Sequence, residues 1–181
     1  EVSNALEYAL RDEVSVYVAV NILIRPEEFA QAIDLLGQLN RLDVDGIIIA
    51  DLGLIGAAGR TYPRLPLHGS TQMSIQHPSA LPLLKQLGIR RIVPARELNY
   101  EELRRFTQSA IEEGIEVEHF VHGALCMSVS GQCLLSAMIG GRSGNRGLCA
   151  QPCRLPFKAA GGTGNDLSLR SEEHTSELQS L

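Results

Sequence analysis

The chain lacks any run of eighteen apolar residues, and no basic segment leads into an apolar one. A membrane-spanning helix and a secretory leader are therefore not expected, and the predicted location is the cytoplasm. No G-x-G-x-x-G follows a strand-like run, which removes the main support for a dinucleotide site. Neither the G-x-S-x-G elbow of serine hydrolases nor the H-E-x-x-H helix of zinc proteases occurs. The C-x2-C knuckle common in structural zinc sites is also missing. Basic charge is scarce: 16 Lys and Arg stand against 21 Asp and Glu, for a net charge of −5. That balance argues against a standalone nucleic-acid binder, while leaving room for an enzyme with a local basic patch. With 44% hydrophobic residues, the composition is otherwise that of a globular protein.

Against these absences stands one concentrated feature. All four cysteines, Cys126, Cys133, Cys149 and Cys153, fall within residues 118–157, spaced C-x6-C-x15-C-x3-C. Thiols gathered in one window of such a chain point to a metal site before a disulfide framework. Four thiolates suffice for an iron–sulfur cluster or a tetrahedral zinc. Gly140, Gly141, Gly144 and Gly147 between them supply the positive φ values that a loop wrapped around a cluster needs. An iron–sulfur cluster is the expectation, with zinc the alternative and free, buried cysteines the plain one.

The same residues carry a family likeness. Glu118, Phe120, Gly123, Ala124, Leu125, Cys126, Gly131, Cys133, Leu135 and Ser136 resemble the signature of the peptidase U32 family, the collagenase-like proteases. The later GGRSGNRGLCAQPCRLPF resembles the branch whose bacterial members hydroxylate a cytidine of large-subunit ribosomal RNA. Related branches hydroxylate a tRNA wobble uridine or, without dioxygen, the ubiquinone ring. The resemblance implies a TIM-like barrel, a [4Fe-4S] cluster on the four cysteines, and rRNA or tRNA as substrate. It also implies prephenate as a co-substrate, as in some relatives, or a peptide substrate if the family's peptidase label describes the chemistry.

Along the chain, residues 3–13 read as the tail of an amphipathic helix, and the opening is expected to be missing. Strands are predicted at 14–21, 46–51, 65–69, 91–94 and 115–121, and helices at 26–42, 52–58, 78–87 and 100–113. Gly88 and Gly114 are the expected stops of the last two helices. Strands alternating with helices imply right-handed crossovers and a parallel sheet, here a partial (β/α)8 barrel. The expected organisation is a partial barrel over 1–122, a four-cysteine segment over 123–169 and a foreign tail over 170–181. The tail, RSEEHTSELQS, matches the in-frame translation of a sequencing-library adapter and is set aside.

Polar groups punctuate the strand ends. Asn21 and Asp51 are candidates for binding substrate or for capping the next helix. The stretch HGSTQMS, with His68, Ser70 and Gln72, is expected to line a site. Arg96 either pairs with Glu97 or holds an anionic substrate. His122 is a general acid or base, or else a core hydrogen-bonder. Arg142, Arg146 and Arg154 surround the cysteines and would balance cluster charge or grip RNA phosphate. His122, Glu97 and Asp51 are thus the catalytic candidates. Asn21, His68, Ser70, Gln72, Arg96, Arg142 and Arg146 are the binding candidates. A redox cofactor accounts for all four thiols at once, so RNA-base hydroxylation is the expected reaction. Peptide hydrolysis, with Cys126 and His122 as a pair, is the alternative. A non-catalytic, zinc-stabilised domain is the third reading.

Overall fold

The computed structural model describes residues 8–9, 14–122 and 126–155. The expected opening helix and the tail over 170–181 fall outside these residues, apart from Tyr8 and Ala9, which are helical. The chain divides into two compact units, Glu1–His119 and Phe120–Leu181.

The first unit alternates strand and helix. Its strands are β1 (Tyr17–Val20), β2 (Gly46–Ile49), β3 (Leu67–Gly69), β4 (Ile89–Ile92) and β5 (Glu116–Val117). Its helices are α1 (Phe29–Arg41), α2 (Leu52–Thr61), α3 (Leu81–Gln86) and α4 (Tyr100–Glu113). Proline begins two of the helical segments: Pro26–Glu28 and Pro78–Ala80 are 3-10 turns that lead into α1 and α3. Proline's fixed φ suits a first turn, where its missing N–H leaves nothing unpaired. Gly88 and Gly114 stand in the left-handed region at φ 84° and 73°, ending α3 and α4 as expected.

All five strands are parallel and lie in the order β1-β2-β3-β4-β5. Sequential parallel strands joined by right-handed crossovers put every helix on the same side. That side holds the apolar core, in which Leu36, Ile47, Leu54, Leu81, Ile92 and Phe106 are fully buried. The order has no reversal, so the crevice of a doubly wound sheet does not arise among these strands.

The ladder has one irregularity. Leu67 pairs with Ile89 but His68 pairs with Arg91, so Arg90 is an extra residue in β4. The bulge restores Arg91 to the face that His68 occupies, and it explains why an alternating pattern is hard to see in Ile89-Arg90-Arg91-Ile92. β4 begins earlier than expected, directly after Gly88. β5 is much shorter than expected, although the Glu118 N–H still donates to the Ile92 carbonyl at 3.0 Å.

The second unit has one α-helix among its described residues, α5 (Leu135–Gly140), with 3-10 turns at Val129–Gly131, Gly144–Arg146 and Pro152–Arg154. Gly141 and Gly147 close two of these segments at φ 68° and 71°. Ser136 is buried, and its hydroxyl accepts from the Ala150 N–H at 2.9 Å, tying α5 to the loop carrying Cys149.

Candidate functional site

The sheet face opposite the helices is polar. Tyr17 on β1, His68 on β3 and Arg91 on β4 come together on this face, over Gly46 of β2. The Tyr17 and His68 rings are 5.3 Å apart, and the Arg91 guanidinium lies 5.3 Å from the Tyr17 ring centre. Arg91 donates to Glu116 at 2.6 Å from Nη2 and lies 3.6 Å from Glu118. The Glu116 hydrogen bond raises the Arg91 pKa, keeping it charged. Gly46 makes this arrangement possible, because a Cβ there would sit 2.6 Å from His68 Cε1 and 2.9 Å from Tyr17 Cδ1. His68 is 5% exposed, and burial together with the Arg91 charge lowers its pKa. The imidazole is therefore neutral near pH 7. His68 thus belongs to this row rather than to the loop that follows β3.

The carboxyl ends of the strands hold the other candidates of this unit. Asp51 caps α2: its Oδ1 accepts from the Leu54 N–H at 2.9 Å and its Oδ2 from the Ile24 N–H at 3.2 Å. A charged carboxylate at a helix N-terminus is stabilised by the helix dipole as well as by these bonds. Ser70 is buried and caps the turn Thr71–Met73, accepting from the Gln72 N–H at 3.2 Å. Gln72 lies half-buried in that turn, and Glu97 is exposed. Asn21 lines a groove of about 330 Å³ between β1 and α1, with Ile24, Glu28, Gln31 and Leu35. Arg96 is half-buried, and its Nε is one of three buried side-chain atoms without a hydrogen-bond partner among the described residues. The other two are Ser74 Oγ and His119 Nδ1. An unpaired buried polar group costs roughly 1–3 kcal/mol, so each marks a place that a folded chain ordinarily avoids.

The cysteines lie in the second unit with His122, which is exposed, and with Arg142 and Arg146. Arg142 Nε donates to the Leu148 carbonyl at 3.1 Å, one residue from Cys149, and Arg146 is half-buried. Among the described residues none of the four cysteines forms a disulfide; Cys126 and Cys149 are exposed, Cys133 and Cys153 partly buried. Two sulfurs accept backbone N–H bonds two residues ahead: Leu135 to Cys133 at 3.4 Å and Gln151 to Cys149 at 3.3 Å. Cys126 Sγ lies 3.1 Å from Ser128 Oγ. Gly144 sits where a Cβ would be 3.5 Å from Cys149 Cβ and 3.7 Å from the Cys133 carbonyl. The donor chemistry suits a soft metal or an iron–sulfur cluster. Among the described residues no three His, Cys, Asp or Glu side chains are grouped as metal ligands.

The sequence model of peptidase family U32 matches residues 1–180. The chain belongs to peptidase family U32. Over its whole length it is 32% identical to the 23S rRNA 5-hydroxycytidine C2501 synthase of Escherichia coli, and it covers 28% of that protein. It is 36% identical to tRNA hydroxylation protein P1 of Bacillus subtilis, over 87% of this chain and 36% of that one. It is 33% identical to the collagenase of Porphyromonas gingivalis, over 80% of this chain and 36% of that protein. The U32 chain thus spans about a third of the length of these curated relatives. The solved structure of the U32 peptidase Mk0906 superposes with a TM-score of 0.52 at 25% identity, over 66% of this chain and 49% of that one.

Sequence reasoning missed Tyr17 and Arg91 as members of a polar grouping, whereas Ser74 lies in the HGSTQMS stretch expected to line a site. Tyr17 was legible in principle, as the one aromatic in a Val-rich strand. Arg91 was hidden by the bulge at Arg90.

Proposed function

We propose that this U32 chain is part of an enzyme that hydroxylates a base of ribosomal or transfer RNA. The observation that carries this reading is the similarity to named rRNA and tRNA hydroxylation proteins over most or all of the chain. The parallel sheet, with its unbroken strand order, would form part of a TIM-like barrel in the longer protein, whose active end is the carboxyl end of the strands. Asn21, Ser70, Gln72, Arg96 and Glu97 follow that end and would meet the substrate. Asp51 would hold the second loop in place through its two backbone bonds. Arg142 and Arg146 lie between Cys133 and Cys149 in the sequence and would meet RNA phosphate. Prephenate is proposed as a small co-substrate.

Protein side chains supply orientation, proton transfer and electrostatics, and redox chemistry on a base needs a cofactor. We propose Cys126, Cys133, Cys149 and Cys153 as ligands of a [4Fe-4S] cluster, with zinc the alternative. The support is their confinement to one unit and the backbone N–H bonds that two of the sulfurs accept. A test is nucleoside mass spectrometry of separated rRNA and tRNA from cells with and without the gene. The expected result is loss of one hydroxylated nucleoside from one fraction. Unchanged nucleosides in both fractions would overturn the reading.

The likeness to a protein named collagenase favours peptide hydrolysis as the second reading. It predicts gelatin cleavage by the purified parent that persists after metal removal and is lost in Cys126→Ala.

A further inference from the structure

We propose that Ser74, Arg96 and His119 form a subsite for a phosphate group of the RNA substrate. The three unpaired buried atoms described above are not scattered. They follow β3, β4 and β5, three adjacent parallel strands, and all three lie beyond the carboxyl ends. Backbone bonds fix the loops that carry them. The Ala95 N–H donates to the Ile75 carbonyl at 2.8 Å, and the Thr71 hydroxyl to the Pro94 carbonyl at 3.3 Å, laying the loop after β3 against the loop after β4. The Glu118 N–H donates to the Ile92 carbonyl at 3.0 Å, which carries the chain alongside β4 up to His119.

The chemistry of the trio selects its ligand. A hydroxyl, a guanidinium and an imidazole nitrogen can all donate, and Arg96 is permanently charged, so a cation is excluded and an oxyanion preferred. A tetrahedral phosphate accepts from several directions at once, as three donors from three loops require. Ser74 adds an independent sign of a specialised position. It is left-handed, at φ 54° and ψ 35°, where a residue other than glycine sits only when its surroundings hold it there. Buried donors without partners on the ligand-bearing end of a parallel sheet are what a site held ready for an anion would leave when empty. The source of the phosphate rests on the RNA reading above; the oxyanion chemistry does not.

Two measurements on the full-length parent separate these points. In histidine-selective NMR, added inorganic phosphate should shift the imidazole signal that His119→Asn removes, and Arg96→Gln should abolish the shift. In RNA binding, Arg96→Gln should lower the slope of log affinity against log salt by about 0.7–0.9, the value of one phosphate contact. Arg96→Lys, which keeps the charge but not the fork, should retain most of the slope and controls for misfolding. A phosphate shift with an unchanged salt slope would overturn the RNA assignment. No shift and no change of slope would overturn the subsite. Were the hydroxylated nucleoside to survive gene deletion while both effects held, the hydroxylase reading would fail and the subsite would stand.

Discussion

Gly46 leaves no space for a methyl group beside the His68 and Tyr17 rings. Both neighbours are ring atoms held by the sheet, so neither can swing aside as the end of a flexible side chain would. Gly46→Ala should therefore destabilise the protein by roughly 1–3 kcal/mol, the usual cost of overpacking, measured as a fall in the denaturant midpoint at unchanged m-value. His68 gives a pH test. Its folded pKa lies below its unfolded value, because burial first and the Arg91 charge second disfavour the imidazolium. The unfolded chain then binds more protons through the window just below pH 6.5. Stability contributed by this group is complete above that pH and is lost as pH falls towards the folded pKa. Melting temperature should drop between pH 7.5 and 5 more steeply in the wild type than in His68→Gln; parallel curves would remove His68 from the account. A buried histidine of this kind could be named from sequence but not placed. His68 was read with the loop that follows it, because nothing local shows that Tyr17 and Arg91, 51 residues before and 23 after, flank it.

At the scale of elements, the helices were the more legible. The helix predicted at 100–113 is α4, Tyr100–Glu113, because its signals are local. Asn99 accepts from the Glu102 N–H at 3.0 Å while Glu102 accepts from the Asn99 N–H at 2.9 Å, a reciprocal capping box. Asn99→Ala should cost about 1 kcal/mol, visible in thermal melts, and Asn99→Asp should restore most of it. Equal stability of all three proteins would contradict the cap. Strand limits were less legible, since a ladder ends where its neighbour ends. β1 occupies only Tyr17–Val20 of the predicted 14–21, and β5 only Glu116–Val117 of 115–121. β4 was displaced for a different reason: the extra Arg90 breaks the alternation from which a strand's register is read. Asp51 shows the same limit at a candidate site. Substrate binding and helix capping use the same residue types at the same strand end, and only the bonds to Leu54 and Ile24 reveal the cap.

At the scale of the molecule, family membership was legible because it resides in a contiguous window, residues 118–157, whose glycines and cysteines need no tertiary knowledge to compare. The parallel sheet was legible from the alternation of apolar strands with helices. What could not be read was that Ser74, Arg96 and His119, each after one of three adjacent strands, leave buried atoms unpaired. The cysteine arrangement remains the point on which sequence and structure pull apart: spacing favours four ligands to one group, and the described residues bring no three together. The central claim, RNA hydroxylation that depends on these thiols, is tested most directly in cells lacking the gene and supplied with variants of the full-length parent. Nucleoside mass spectrometry should show one hydroxylated base restored by the wild type and by none of Cys126→Ser, Cys133→Ser, Cys149→Ser or Cys153→Ser, each expressed at the wild-type level. Full restoration by any one of the four variants would contradict the account.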